Sequence, residues 1–577
     1  MNPQDFPQLS FPFTASHLPE ARAIWISERY AKGASADYKE FVDRFAYLVP
    51  GGATFDGLSF DIDRTELLSG ERYGGGGIGS NGGGARCGNI DGYQVKGVGK
   101  NLLAGDADIH HTYGGFKAAY AIHEAIYSQT LSQLLPVGVA HIFGVMLTGP
   151  RAAFVKGTNR GWGGMLVREP VLRPASFLRA GLFSLPQEQR SDLLSDVWRV
   201  RSVNRALLLE KGVNGVVQLF GKFLANSADQ FTFARLAGLM HGALTPSNLC
   251  MDGRWIDLTN TTFLCTSKNW AGGNRQTASF QEELREPLRF VAALAETFGR
   301  FTGKVLNVKP LAAYYEECLV EGFRAHLDYV FGLPRGPFSA GYGPLLDKIL
   351  RYVLSSTENV PTVYDSWPID PPIYEPTFEA IAKLFVAACS NRGSVLSVDS
   401  DEFGLGQREI VSFRNLILSC KGAKPTIGST KQSFLVGCAI ASAKRLLLNA
   451  FFYKGRIETQ VNGLLDSNKI ENLQAYVADT IASSQWIFSR ALESRVDLFK
   501  STNMIIQYDL RAEIFEVKSN GGGLIQFASA RELSIYIDRV DSCELFSIDD
   551  FDFIPYLKRV LSLIQMMSAE AEHAQRN

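Results

Sequence analysis

The sequence has no cysteine pair at C-x-x-C spacing, no excess of one charge and no apolar run long enough to cross a bilayer. Its eight cysteines are scattered: Cys87, Cys250, Cys265, Cys318, Cys389, Cys420, Cys438 and Cys543. That spacing argues against a zinc ribbon or a redox pair and suits free, buried thiols in a reducing compartment. Lys and Arg total 58 against 59 for Asp and Glu. Charge therefore gives no reason to expect nucleic acid or an acidic membrane as a partner. The longest apolar run, Leu134–Leu147, contains Pro136, Gly138, His141 and Gly144 and is too short for a membrane span. Residues 1–24 carry four prolines and no basic segment ahead of an apolar run, unlike a secretion signal. A cytoplasmic protein is expected.

What is present is a long chain of ordinary globular composition: 577 residues, 46% apolar and 20% charged. Roughly three or four domain-sized units are expected from the length. Apolar spacing predicts a helix within residues 21–48, a strand at Tyr93–Val98 and a strong helix over Phe116–Leu135. Strands are expected at His141–Leu147 and Met165–Leu172, the second at a sheet edge because of Pro170. From Pro186 the pattern turns helical, beginning with three helices at Gln187–Leu209, Val213–Ala225 and Phe231–Met240. Met504–Ala528 reads as a β-hairpin and Ile554–Ala569 as a final helix. The expected class is α+β, divided into an N-terminal segment (1–48), a mixed-β unit (49–185), a helical unit (186–450) and a C-terminal region (451–577).

Two stretches carry chemistry. In Gly74–Gly84, eight of eleven residues are glycine, so no side chain blocks close backbone approach to a phosphate. Taken alone, such a tract suits a flexible linker equally well. Arg86 follows it, then Lys96 on the expected strand and Glu124 on the expected helix. A strand lysine held by a helix carboxylate can contact nucleotide phosphates. The second stretch runs from His241 to Asp257. A short hairpin turning at Asp252-Gly253 would bring Asn248 beside Asp257, and an amide oxygen with a carboxylate suits Mg²⁺ or Mn²⁺.

The motif H-G-x-x-x-x-x-N over His241–Asn248, with Ile256-Asp257 closing nine residues after Asn248, resembles the catalytic and metal-binding loops of the selenoprotein O family. Tyr93–Gly97, Ile122–Glu124, Ile256–Leu264 and Arg173–Phe183 are similar to further segments of that family, in the same order. The resemblance covers roughly residues 80–300. It implies a protein kinase-like bilobal fold, a mixed β N-lobe and a mainly helical C-lobe, here with a helical C-terminal extension. It implies transfer of AMP from ATP to Ser, Thr or Tyr hydroxyls. Lys96, Glu124, Asn248 and Asp257 would be catalytic, with Asn248 and Asp257 holding Mg²⁺ or Mn²⁺. Gly83, Gly84, Arg86, Lys96, Arg173 and Arg179 would bind the nucleotide, the last two clamping the leaving pyrophosphate. The expected partners are ATP and an unnamed protein or small-molecule acceptor. The sequence departs from the family at Ser247, where the family has Asp, and no carboxylate lies between His241 and Asn248. Two other readings follow: a kinase-like enzyme acting on a small molecule or peptide, as in natural-product or microcin-type pathways, and a nucleotide-binding pseudokinase with a regulatory role.

Overall fold

The computed structural model describes residues 3–34, 36–51, 55, 57–105, 113–156, 159–184, 193, 195–263, 269–270, 280–334, 342–355, 361–362, 376–389, 405–420, 430–540 and 543–576. Its largest sheet has eight strands: β1 (Ser10–His17), β2 (Arg22–Ile26), β3 (Tyr47–Leu48), β4 (Asp61–Glu71), β5 (Cys87–Ile90), β6 (Tyr93–Lys96), β7 (Ile142–Lys156) and β8 (Asn159–Arg168). Their order is β2-β7-β8-β6-β5-β4-β1-β3, and every pair is antiparallel.

The two-residue pleat sorts side chains onto two faces. Val95, Met146, Met165 and Val167 pack with Phe41 and Phe45 on one face. Val145, Leu147 and Leu166 join the main core on the other, against helix α1 (Ala118–Leu134). That helix is buried on nearly every side, which calls for a second partner opposite the sheet. Two C-terminal helices, α2 (Lys454–Asp466) and α3 (Ile470–Ile487), supply it.

The remaining chain is mainly helical, including Asp196–Leu236, Phe280–Thr302, Lys309–Val330 and Lys431–Leu447. A four-stranded antiparallel meander spans Arg495–Phe527. Among the described residues, Lys431–Phe452 alone is long and apolar enough to cross a membrane, and its apolar window is wholly buried inside the protein. Cys87, Cys250, Cys318, Cys389, Cys420 and Cys438 are free thiols; Cys265 lies outside the described residues.

Several local expectations are corrected. Residues 22–26 form a strand instead of opening a helix, because they pair with Gly144–Leu147. Strand β8 lies inside the sheet, between β7 and β6. It ends at Arg168, so Pro170 removes no ladder hydrogen bond. The three helices expected between Gln187 and Met240 are a single run, Asp196–Leu236, broken at Gly212, whose φ is 65°; residues 187–192 lie outside the described residues. The hairpin expected over Met504–Ala528 is three strands of the meander, because the chain also turns at residues 510–513; the turn after Ser519 joins the last two. Residues 10–48, read as part of a separate segment, contribute β1, β2 and β3 to the large sheet.

Candidate functional site

Register builds the site floor. Val95 faces the packed side of the sheet, so Gln94 and Lys96 face helix α1. Gln94 pairs with Arg168 across β6 and β8, and Arg168 Nε donates to Gln94 Oε1 at 2.8 Å. Lys96 Nζ donates to Glu124 Oε1 at 2.8 Å, with both side chains buried. Lys96 also bonds Asp257, and Thr259 Oγ1 bonds Glu124.

The loop from His241 to Asp257 is held by buried groups. His241 Nε2 lies 3.1 Å from the Asn248 carbonyl and 3.2 Å from the Ile256 carbonyl. It staples the two ends of the short hairpin as a neutral ring, since burial lowers its pKa to about 4. Gly242 has φ 75°, and a Cβ there would stand 2.3 Å from the Asn260 carbonyl oxygen. Glu283, from helix Phe280–Thr302, accepts from Gly242 N at 2.8 Å and His241 N at 3.2 Å. Asn248 Nδ2 donates to the Ala243 carbonyl at 2.7 Å, which fixes the amide with its oxygen free of that bond. The only partner of Asn248 Oδ1 among the described residues is Ser247 Oγ, at 3.3 Å.

Asp257 is the electrostatic centre. It sits in the left-handed region, φ 59° and ψ 61°, a conformation that costs a non-glycine residue about 1 kcal/mol. Arg168 Nη1 lies 3.0 Å from Oδ1 and Arg173 Nη1 3.2 Å from Oδ2. Burial alone would raise the carboxyl pKa, but Arg168, Lys96 and Arg173 together hold it well below the usual carboxylate range.

The glycine tract is not a linker. Gly74, Gly75, Gly82 and Gly84 donate their N–H groups to the carbonyls of Ala175, Arg179, Leu103 and Glu71, so these four cannot cradle a ligand. A Cβ on Gly77 would meet Thr245 at 2.5 Å, and one on Gly83 would meet the Glu71 carbonyl at 2.3 Å. Glycine is needed here because backbone is packed against neighbouring chain.

These parts enclose a cleft of about 670 Å³, within the usual range for small-molecule sites. Gly83, Gly84, Arg86, Lys96, Asn248 and Asp257 all line it. Glu124 lies beneath, reached through Lys96. The two expected clamp arginines are not brought together on its wall. Arg173 is fully buried behind Asp257 and bonds the Ser247 carbonyl. Arg179 is 43% exposed and its Nε bonds Asp196 at 2.9 Å. The Pro174–Phe177 turn between them sends the two side chains to different neighbours.

Sequence reasoning missed Arg168, whose role depends on register with Gln94. It missed Lys117, Tyr113 and Tyr120, which line the cleft. It also missed Lys454, whose Nζ donates to Asn260 Oδ1 at 3.1 Å from behind the cleft wall. Burial lowers the Lys117 pKa; Glu458 opposes that effect and Lys454 and Arg86 add to it. No signal in one sequence links Lys454 to Asn260 across 194 residues. The chain matches no protein-family model and no curated protein.

Proposed function

We propose that the chain is an ATP- and Mg²⁺-dependent transferase of kinase-like bilobal arrangement that moves AMP to a Ser, Thr or Tyr hydroxyl, in the manner of selenoprotein O. The carrying observation is that Lys96, braced by Glu124, shares one cleft with the oxygen pair Asn248 and Asp257 and with the cations Arg86 and Lys117. An antiparallel sheet bearing the lysine and a helical part bearing the loop support the bilobal reading.

The donors suit a hard divalent cation. Asn248 Oδ1 and the Asp257 carboxylate are oxygen ligands, and the bond from Asn248 Nδ2 to Ala243 orients the amide from behind. Bound there, Mg²⁺ supplies charge neutralisation on the triphosphate. Among the described residues no cluster of three His, Cys, Asp or Glu side chains forms a metal site of another kind. The chain's own groups do the rest. Arg86, Lys96 and Lys117 bind phosphate oxygens, and Glu124 keeps Lys96 in place. The acceptor oxygen bonds to the α-phosphorus as the bond from that phosphorus to the bridging oxygen breaks. Pyrophosphate leaves toward Arg86 and Lys117, the lining cations that take the role expected of Arg173 and Arg179. The hydroxyl proton passes to a phosphate oxygen, because Asp257, the only carboxylate lining the cleft among the described residues, is committed to three cations.

Ser247 favours a second reading, a regulatory nucleotide-binding pseudokinase. Its hydroxyl is bonded to Thr245 Oγ1 at 2.8 Å and cannot act as a strong base. Parallel incubations with α-labelled and γ-labelled ATP and Mg²⁺ separate the readings. Transfer of the α label alone is expected. Transfer of the γ label alone would make the chain a kinase. No transfer, with ATP binding that Lys96→Ala abolishes, would make it a pseudokinase, and no ATP binding at all would overturn the assignment of the cleft.

A further inference from the structure

A second cavity, of about 760 Å³, lies between α3, the edge strand Arg495–Lys500 and the turn at Ser547–Asp549. It is remote in sequence from every residue of the nucleotide cleft. Its buried floor holds Lys444, Ser483, Trp486 and Val496. Lys444 is 4% exposed, yet among the described residues its ammonium makes no hydrogen bond or salt bridge. Its ammonium lies 5.7 Å from the Trp486 ring, in the field of Asp497. The Trp486 indole N–H is likewise buried without an acceptor. Buried donors are normally satisfied, and a buried ammonium nearly always is.

The opposite charge is left open in the same cavity. Asp479 and Asp549 both line it and neither forms a salt bridge or hydrogen bond among the described residues. Partial desolvation raises the Asp549 pKa, Arg456 lowers it and Asp479 is close enough to raise it again, to about 6. The nearby cation Arg456 is committed to Asp550 and to the Phe451 carbonyl. Arg495 on the rim is committed to Asp509 and Glu516. The cavity therefore presents, on its floor, an ammonium with no ion pair and, on its wall, two carboxylates with none, beside Asp497, which accepts from Gln507, and the exposed Glu493 and Lys500. A ligand bearing both charges, set apart by an apolar body that can lie on Trp486 and Val496, completes both.

We propose that this cavity binds a short peptide with free ends, its carboxylate on Lys444 and its amino group on Asp479 and Asp549. A single amino acid leaves much of this volume unfilled, since cavities of this size hold drug-sized ligands. The two charges on a tripeptide are separated by several residue lengths of about 3.3 Å each. The site is independent of the nucleotide cleft, so it stands or falls apart from the reading of that cleft.

The test is affinity selection with the full chain. The protein is equilibrated with a random tripeptide mixture with free ends, passed through a size-exclusion column, and the retained peptides are quantified by mass spectrometry. The same mixture with amidated C-termini runs in parallel. Retention of the free-ended mixture at least ten-fold above the amidated one is expected. It should fall to background in Lys444→Met and at least five-fold in the doubly substituted Asp479→Asn/Asp549→Asn. The acidic pair is exposed, so the double variant keeps the test decisive if Lys444→Met does not fold. No retention, equal retention of both mixtures, or retention unchanged by the folded variants would overturn the proposal.

Discussion

Glu283 carries a charge problem that two backbone N–H groups do not solve. They favour its anion, but burial outweighs them and pushes its pKa up to about 8 from an ordinary 4.5. A carboxyl whose folded pKa exceeds its unfolded one stabilises the fold in its protonated form. That contribution is full below about pH 4.5 and is lost as pH rises through about 8. The melting temperature of the wild type is therefore expected to fall between pH 5 and pH 8 through this group. In Glu283→Gln the slope should flatten, with an offset of about 1 kcal/mol at all pH because the amide offers one acceptor for two donors. An unchanged slope in thermal melts across that range would refute the assignment. The glycine tract offers a matched pair at the same scale. Gly76→Ala meets nothing within 4 Å, whereas Gly77, at φ 92°, would drive a Cβ into Thr245. Gly77→Ala should cost about 2–3 kcal/mol from strain and overpacking, and Gly76→Ala less than about 0.5 kcal/mol, read by denaturant unfolding. Lys96, Glu124, Asn248 and Asp257 were legible in the sequence because each follows a local signal, a strand, a helix or a turn. The glycines were legible as a tract but not as packed backbone, because their neighbours at 178, 183 and 245 are set by tertiary structure alone.

At the scale of elements, helix α1 decides whether Glu124 stays on Lys96. The sheet holds one side, and the C-terminal helices hold the other. Tyr127 Oη bonds the Phe452 carbonyl and accepts from Phe263 N at 3.3 Å. Lys454 N donates to Thr262 Oγ1 at 3.2 Å, and its Nζ reaches Asn260. The segment around residues 451–454 thus ties the Glu124 helix to the chain just after Asp257. Residues beyond 300 carried no readable function in the sequence, because an apolar helix that packs on a core looks like one that packs on a catalytic helix. Lys454→Met keeps the stem and removes both the bond to Asn260 and the 3.4 Å ion pair with Glu458. It is expected to weaken ATP binding by about 0.5–1.5 kcal/mol, roughly two- to ten-fold in Kd, and to lower the melting temperature as well, because the half-buried Glu458 loses its partner. Tyr127→Phe should destabilise the protein by about 1–3 kcal/mol, since it strands a buried carbonyl and a buried N–H. Calorimetric titration with ATP and a chemical melt read the two effects, and a Lys454→Met variant that binds ATP as wild type would separate the C-terminal helices from the site.

Across the whole molecule the charge is nearly balanced, at −1, while the cleft is strongly cationic. Arg86, Lys96 and Lys117 line it and Arg168 and Arg173 back it, against Asp257 on its surface and Glu124 and Glu71 beneath. The imbalance sets the order in which ligands can enter. A free divalent cation must approach an Asp257 that already faces three cations, so the site repels it despite its oxygen donors. A triphosphate brings the missing negative charge and engages the lining cations, so that Lys96 turns to phosphate and Asp257 faces the metal with one competing cation fewer. Mg²⁺ alone, up to millimolar levels, is therefore expected to leave the melting temperature unchanged, ATP alone to raise it, and Mg·ATP to raise it most. At a hundred-fold excess over Kd the stabilisation is about 2.7 kcal/mol, which in a chain of this size amounts to roughly 1–3 °C. The gain from ATP should shrink as salt rises, because phosphate contacts near the cleft mouth are screened over a Debye length of about 8 Å at physiological ionic strength. Lys96→Ala should weaken the ATP response and, by freeing Asp257 from one cation, create a measurable response to Mg²⁺ alone. Thermal melts of both proteins across the four ligand conditions test this scheme. A wild-type response to Mg²⁺ equal to that for Mg·ATP would mean that Asp257 is not electrostatically guarded and that the metal does not depend on the nucleotide for entry.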